Sequence, residues 1–116
     1  MKPDFEAMLK SVGARFVWVF DVTAREGRTW DNAGSVEDVA TGSAAGPAAA
    51  YLVRHGQAQP EEEIVLRQGR FLGRPSELRA WVYGTASRMD DVSVGGHVRL
   101  LVRGTFLTRG LVAAPR

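Results

Sequence analysis

The chain has 116 residues, no cysteine, two histidines and a formal net charge of +2. This length suits one domain with one modest core, and we expect a single domain over residues 1–116. The lack of cysteine excludes a disulfide framework, a thiolate zinc site and cysteine catalysis, and with only two histidines, His55 and His97, we expect no metal site built from several imidazoles. No apolar run is long enough for a membrane span, and the polar N-terminus does not resemble a signal peptide, so we expect no membrane association and a cytoplasmic protein.

The charge is small and unevenly distributed along the chain. Residues 1–63 carry a net charge of −4 and residues 64–116 a net charge of +6, and 13 of the 15 basic residues are arginine. This arginine content has two possible explanations. One is the codon bias of a GC-rich genome, and the other is an arginine-lined surface that binds a carboxylate or a phosphate. Because the overall basic excess is small, the composition argues against a nucleic-acid partner.

Three short elements are predicted before residue 31. An apolar stripe at helical spacing predicts a helix over residues 4–12. Residues 15–22 form a strand pattern with apolar side chains on both faces, which predicts a central strand covered on both sides. A further short strand is expected near residues 28–30.

The next element is a helix with almost no polar face. Residues 42–55 are apolar nearly all round, which predicts a buried helix. Pro47 lies inside this segment and would remove one backbone hydrogen bond. The helix therefore begins either at Pro47 or near Gly42, and the sequence leaves both starts open.

The remainder of the chain predicts a meander of strands. In the run over residues 77–83, Leu78, Ala80 and Val82 share one face. The other predicted strands cover residues 63–68, 92–94 continuing through two glycines to 97–103, and 105–108. The sequence thus predicts an α+β fold in which an antiparallel-rich mixed sheet wraps round one buried central helix.

The residues around the start of the buried helix are the strongest candidates for a functional site. Thr41, Gly42, Ser43 and Ala44 place small and hydroxyl-bearing residues where backbone N–H groups are unpaired and the helix dipole favours an anion. Asp38 precedes them and could act as a general acid or base. The same residues also suit simple helix capping, with Thr41 as the cap and Asp38 in a turn.

The segment Glu-Asp-Val-Ala-Thr-Gly-Ser-Ala-Ala-Gly-Pro at residues 37–47 resembles the EDPATGSAAGP signature of the phenazine-biosynthesis PhzF-like proteins. The resemblance continues at residues 50–56, in Gln68-Gly69 with residues 73–76, and at residues 92–96. These proteins have the diaminopimelate epimerase fold, and this chain resembles their C-terminal half. Val39 departs from the signature, which has proline at that position.

The resemblance implies a cofactor-free and metal-free isomerase or epimerase that shifts a proton on a carbon next to a carboxylate. It implies Asp38 as a catalytic residue in the role of the supporting acid, and Thr41, Gly42, Ser43 and Ala44 as the substrate-binding residues for a small carboxylate. The family's catalytic glutamate, in an Asn-Glu motif, and its Gly-His-Ala-Thr motif lie in the first half of its members, and neither motif occurs in this chain.

Three functions are compatible with this resemblance. The chain could be half of an isomerase of secondary metabolism, working as a homodimer or as a heterodimer with a separate first-half chain. It could instead be a non-catalytic binding or scaffold module, or a repurposed natural-product cyclase.

Arg79, Trp81 and Tyr83 share one strand face and are residue types enriched in interfaces, although a solvated sheet face has the same pattern.

Overall fold

The computed structural model describes residues 4–108, so the outer limits of the predicted domain, 1 and 116, lie outside the described residues. Two helices, one short 3-10 helix and five strands form this part of the chain. In chain order they are α1 (Phe5–Ser11), β1 (Trp18–Asp21), β2 (Glu26–Thr29), α2 (Gly42–Arg54), β3 (Ile64–Gln68), the 3-10 helix (Arg70–Leu72), β4 (Ser76–Gly84) and β5 (Met89–Gly95).

The five strands form one sheet in the order β1-β2-β3-β4-β5. The pairs β1–β2, β3–β4 and β4–β5 are antiparallel, and only β2–β3 is parallel. The parallel pair arises because α2 lies between β2 and β3 in the chain, and a parallel neighbour needs such a crossover. The predicted antiparallel-rich mixed sheet is therefore confirmed.

The core lies between α2 and one face of the sheet. Leu52 of α2 and Leu66 of β3 are fully buried, as are Ala80 and Val82 of β4. The predicted common face of Leu78, Ala80 and Val82 is thus the core face. Gly46 of α2 faces Val92 and Val94 of β5, where an added Cβ atom would lie 3.5 and 3.6 Å from their side chains, at ordinary van der Waals distance. Within residues 4–108, no helix is long and apolar enough to span a membrane.

Helix α2 begins at Gly42. Of the two starting points that the sequence left open, Gly42 and Pro47, the structure therefore has the earlier one. Pro47 lies inside the helix, on its exposed side. The carbonyl one turn before it belongs to Ser43, which is also exposed, so water can bind the oxygen that Pro47 leaves without a donor.

The predicted central position of the first strand is wrong. β1 pairs only with β2 and forms an edge of the sheet. Trp18 and Phe20 pack against the core, whereas Val19 on the opposite face is 57% exposed. Apolar side chains on both faces predicted a covered strand, but among the described residues only one face is covered.

The two strands predicted over residues 97–103 and 105–108 are not formed. All of these residues are exposed, and Val98 and Phe106 are each 94% exposed. Alternating β-branched and apolar residues supply the strand pattern, but a strand also needs a neighbour for its backbone hydrogen bonds. No such neighbour contacts this segment within the part of the chain that is described.

Candidate functional site

The candidate site lies at the N-terminal end of α2, where the loop from β2 reaches the helix. Glu37 forms a bridge with Trp30, and the backbone N–H of Asp38 donates to the carbonyl of Thr29 at 3.0 Å. Two backbone contacts thus hold the loop against the end of β2. They place Asp38 directly before the first turn of the helix.

Asp38 and Thr41 are joined by a short hydrogen bond. The Thr41 hydroxyl donates to Oδ2 of Asp38 at 2.6 Å. Thr41 is the residue before the helix, but its side chain does not cap the helix backbone. The proton of the Thr41 hydroxyl is used in the hydrogen bond to Asp38. In this arrangement the hydroxyl therefore has no proton left to donate to a ligand, although the sequence predicts it as a donor.

Gly42 and Ser43 supply the backbone N–H groups of the predicted anion cradle. As the first helical residues, they have no carbonyl one turn earlier to which they could donate. Ala44 differs, because it is buried and its N–H donates to the carbonyl of Thr41 at 3.1 Å. Gly42 and Ser43 therefore keep N–H groups that an anion could accept, assisted by the positive end of the helix dipole, and of the two it is Ser43 that lines the cavities described next.

Two adjacent cavities meet at Ser43. The first has a volume of about 380 Å³ and contains the polar side chains of Asp38, Thr41 and Ser43. The second has a volume of about 510 Å³ and is a mainly apolar groove between β1 and α2, whose lining includes Tyr51. Phe16 and Ser43 line both cavities. A small molecule with a carboxylate at Ser43 would therefore have polar groups on one side and an apolar wall on the other.

Gln68 at the end of β3 holds this site together. It is buried, with 1% of its surface exposed, and it makes four hydrogen bonds. Its Nε2 donates to the Asp38 carbonyl at 2.9 Å and to the Thr41 hydroxyl oxygen at 2.9 Å. Its Oε1 accepts from the Thr41 backbone N–H at 3.1 Å and from the Trp18 indole at 3.0 Å.

Gln68 is the site residue that sequence reasoning missed. It was singled out only as part of the resemblance, and its partners lie 27 to 50 residues away in the chain. The available signal was its place in a strand, where it shares the inward face with Ile64 and Leu66. A polar residue at a core position requires buried partners, and this condition could have marked it.

Trp18 reaches Gln68 because the intervening strand has a glycine at the crossing point. The indole ring of Trp18 on β1 lies over Gly27 of β2, where a Cβ atom would overlap the ring. The ring therefore crosses β2 and places its N–H on Gln68 of β3. A glycine inside a strand often marks such a close approach.

The loop is also anchored by charge. Arg28 and Glu37 form two hydrogen bonds, and Glu37 has a pKa below its ordinary value mainly because of the hydrogen bond from Arg28. Glu26 and Arg70 form a second such pair, in which the hydrogen bond from Arg70 lowers the pKa of Glu26. Both pairs surround Phe71, against which both guanidinium groups stack.

Neither histidine lies in the two cavities at Ser43. His55 follows α2 at its opposite end and lies against Tyr51, with 4.3 Å between ring centroids and 41° between the ring planes. His97 is exposed. Within residues 4–108 there is no group of three histidine or acidic side chains that could hold a metal ion.

Comparisons with known proteins agree with this architecture. A family model described as phenazine biosynthesis-like protein matches residues 1–104. The chain is 42% identical over 90 residues to trans-2,3-dihydro-3-hydroxyanthranilate isomerase of Pseudomonas chlororaphis, which covers 72% of this chain and 32% of that protein. It is 32% identical over 113 residues to an uncharacterized isomerase of Escherichia coli, which covers 87% of this chain and 38% of that one.

One solved structure gives a fold match as well. The structure described as a predicted epimerase from Pseudomonas aeruginosa superposes with a TM-score of 0.77 and 56% identity. The match covers 93% of this chain and 37% of that chain. This chain thus spans about a third of the length of the curated relatives it matches.

Proposed function

Because the chain belongs to the phenazine biosynthesis-like family, we propose that it is part of an isomerase that moves a proton on a small carboxylic acid. The observation that carries this proposal is the position of Asp38. Its carboxylate lies in a cavity of about 380 Å³, hydrogen-bonded to Thr41 and beside the first N–H groups of α2. One wall of the site can thus bind a carboxylate while an acidic side chain lies near the carbon that carries it.

Each part of the site has a defined role in this proposal. The N–H groups of Gly42 and Ser43 and the Ser43 hydroxyl bind the substrate carboxylate. Neutralising this carboxylate makes the adjacent carbon easier to deprotonate, because negative charge then develops next to a compensated group. Asp38 takes or returns the proton as a general base or acid. No metal or cofactor has a role in this proton transfer.

A second polypeptide is part of the proposal. In this proposal a base removes the proton at one position and a separate acid returns it at another, and the other carboxylates at the cavity, Asp31 and Glu37, already accept hydrogen bonds within the chain. Asp31 accepts hydrogen bonds from the backbone of Ser35 and Val36, and Glu37 is paired with Arg28. A second copy of the chain would bring a second Asp38, and two close carboxylates can share one proton.

The alternative second polypeptide is a separate first-half chain of the family. It would supply the Asn-Glu motif that the resemblance assigns to the missing half. Two features of the described residues favour assembly with a second polypeptide, whether that is a second copy of the chain or a first-half chain. The groove of about 510 Å³ beside Ser43 is apolar and open, and residues 97–108 expose their apolar side chains. Apolar surface of this extent is typical of an interaction site.

The experiment uses the substrate named for the Pseudomonas relatives, trans-2,3-dihydro-3-hydroxyanthranilate, in D₂O. NMR spectroscopy follows the incorporation of deuterium at carbon with the chain alone at increasing concentration and with an added first-half chain. We expect incorporation in at least one of these conditions and its loss in Asp38→Asn. Asp90→Asn, on the exposed part of β5, is the matched control. Full incorporation by Asp38→Asn would refute the role of Asp38.

A binding module is the second candidate function. It is favoured by the hydrogen bonds that Asp31 and Glu37 already make within the chain. Asp38 itself accepts a hydrogen bond from Thr41 at Oδ2, so it is open to a ligand only at its other oxygen, and the described chain can hold a ligand without transferring its proton. Binding of 3-hydroxyanthranilate, an aromatic probe, is measured by calorimetry in the absence of oxygen, alongside deuterium incorporation. Binding that depends on Gly42 and Ser43, without incorporation in any assembly, would establish this function instead.

A further inference from the structure

The orientation of the Gln68 side-chain amide is determined by its partners. The indole N–H of Trp18 and the backbone N–H of Thr41 can only donate hydrogen bonds. Both lie within hydrogen-bond distance of the same side-chain atom, at 3.0 and 3.1 Å. That atom must therefore be the oxygen, and the NH₂ group must face Asp38 and Thr41.

The direction of the next hydrogen bond follows from this orientation. The Gln68 NH₂ group donates to the carbonyl of Asp38 and to the hydroxyl oxygen of Thr41, each at 2.9 Å. The Thr41 hydroxyl has a single proton. Since its oxygen already accepts from Gln68, that proton goes to Oδ2 of Asp38, 2.6 Å away.

These contacts form a relay with one direction, from Trp18 and Gln68 through Thr41 to Asp38. The relay engages Oδ2 of Asp38. Oδ1 has no hydrogen-bond partner among residues 4–108, and Asp38 is exposed at the cavity. One carboxylate oxygen is thus held in place while the other is available to a ligand.

We propose that Gln68 is a positioning residue that forces Thr41 to donate to Asp38 and thereby presents Oδ1 of Asp38 to the substrate. The geometric part of this proposal stands on the hydrogen bonds alone. Its consequence for proton transfer rests on the proposed function. Gln68 acts through Thr41 and does not itself touch the substrate.

The burial of Gln68 argues for this specific role. The side chain is 1% exposed and lies on the core face of β3, beside the fully buried Leu66. A methionine of similar size would fill the same volume without burying an amide. All four hydrogen-bonding positions of the amide are occupied, so the network is complete, and a complete buried network specifies one arrangement of the loop.

Two pairs of variants separate positioning from simple packing. Gln68→Glu keeps the shape and both acceptor contacts, and as a carboxylate it has no proton to donate, so the Thr41 hydroxyl is drawn away from Asp38. Gln68→Met removes both ends of the amide. Thr41→Val removes the hydroxyl at nearly constant volume, whereas Thr41→Ser retains it. Gln59→Glu and Thr23→Val are matched controls at exposed positions outside the site.

The first readout is NMR spectroscopy of the wild-type chain and these variants, which requires no activity. In the wild type we expect slow exchange of the Gln68 NH₂ protons and a Trp18 indole signal that moves in Gln68→Met. In Thr41→Val the Gln68 NH₂ signal shifts while Trp18 changes little, and the controls leave both unchanged. An NH₂ signal that exchanges as fast as that of Gln59 would overturn the relay.

The second readout is deuterium incorporation under the conditions in which the wild type is active. We expect Gln68→Glu and Thr41→Val each to lower the rate at saturation about tenfold, with a smaller change in KM, because one charge-assisted hydrogen bond is lost. Thr41→Ser retains most of the rate. Equal rates for Thr41→Val and Thr41→Ser would overturn the positioning role. Absence of incorporation in the wild type would instead contradict the proposed function, while the NMR result still decides the relay.

Discussion

Arg28 binds Glu37 through two hydrogen bonds of 2.8 and 2.9 Å, at the residue directly before Asp38. The Arg28 guanidinium also lies 4.9 Å from the ring centroid of Trp30 and 4.2 Å from that of Phe71. Because Arg28 belongs to β2, this pair ties the site loop to the sheet. The position of Asp38 therefore depends on a charged pair as well as on the Gln68 network.

The first prediction concerns pH. The folded-state pKa values of Glu37 and Glu26 are lowered, mainly by hydrogen bonds from Arg28 and Arg70. The unfolded chain therefore binds more protons than the folded chain at pH values just below the ordinary glutamate pKa of about 4.3. The contribution of these two glutamates to the free energy of unfolding is complete above that pH. It is lost as the pH falls through their lowered folded-state pKa values.

Urea unfolding at a series of pH values between about 6 and 3 measures this effect. Glu37→Gln should reduce the loss of unfolding free energy on acidification, and a double substitution with Glu26→Gln should reduce it further. Glu6→Gln, at an exposed pair on α1, is the control. An unchanged slope in the double variant would contradict the assignment.

The second prediction concerns Gly27. In Gly27→Ala the new Cβ atom would overlap the Trp18 indole and displace it from Gln68. We expect a loss of about 1–3 kcal/mol in unfolding free energy from the steric conflict and the broken hydrogen bond. Urea unfolding and the indole N–H signal of Trp18 measure the two effects. Gly104→Ala, where the new atom meets open space, should leave both unchanged.

The third prediction tests the core. Leu52 on α2 is fully buried, and Leu52→Ala should lower the unfolding free energy by about 2–5 kcal/mol because it removes apolar contacts and leaves a cavity. Leu72→Ala, at a position that is 41% exposed, should cost clearly less. Similar losses for the two variants, measured by urea unfolding, would contradict the position of α2 in the core.

The fourth prediction concerns the exposed segment. Leu101 and Phe106 are 82% and 94% exposed, and their burial against a partner should drive the assembly that the proposed function requires. Leu101→Gln with Phe106→Gln should shift the association of the chain, alone or with a first-half chain, to higher concentration. Sedimentation velocity measures this shift. Gln substitution at the exposed Met8 is the control, and equal assembly of the tail variant and the control would contradict this role.

Much of the fold was predictable because it depends on local patterns. The apolar circumference of residues 42–55 predicted a buried helix, and the alternation of Leu78, Ala80 and Val82 predicted the core face of β4. The start of α2 was left open because a proline can begin a helix or lie inside its first turns. Only the placement of Pro47 toward water made the earlier start acceptable.

The candidate site was predictable in part. The signature at residues 37–47 indicated Asp38, Thr41, Gly42, Ser43 and Ala44, all of which lie at the end of α2 that the structure brings to the cavity. Their functional roles stay predictions. Which of these residues can reach a ligand was not predictable from the sequence. Only the structure shows that the Thr41 hydroxyl donates to Asp38 and that Ala44 is buried.

The amino-acid sequence by itself determined the family and the elements up to β5, because helical and strand periods and a short signature are properties of neighbouring residues. The tertiary structure alone decided three further points. It placed β1 at an edge, it left residues 97–108 without a strand neighbour, and it brought Trp18, Gln68 and Asp38 into one hydrogen-bonded network. Each depends on which distant backbone or side chain becomes the partner, and a periodic pattern carries no information on that partner.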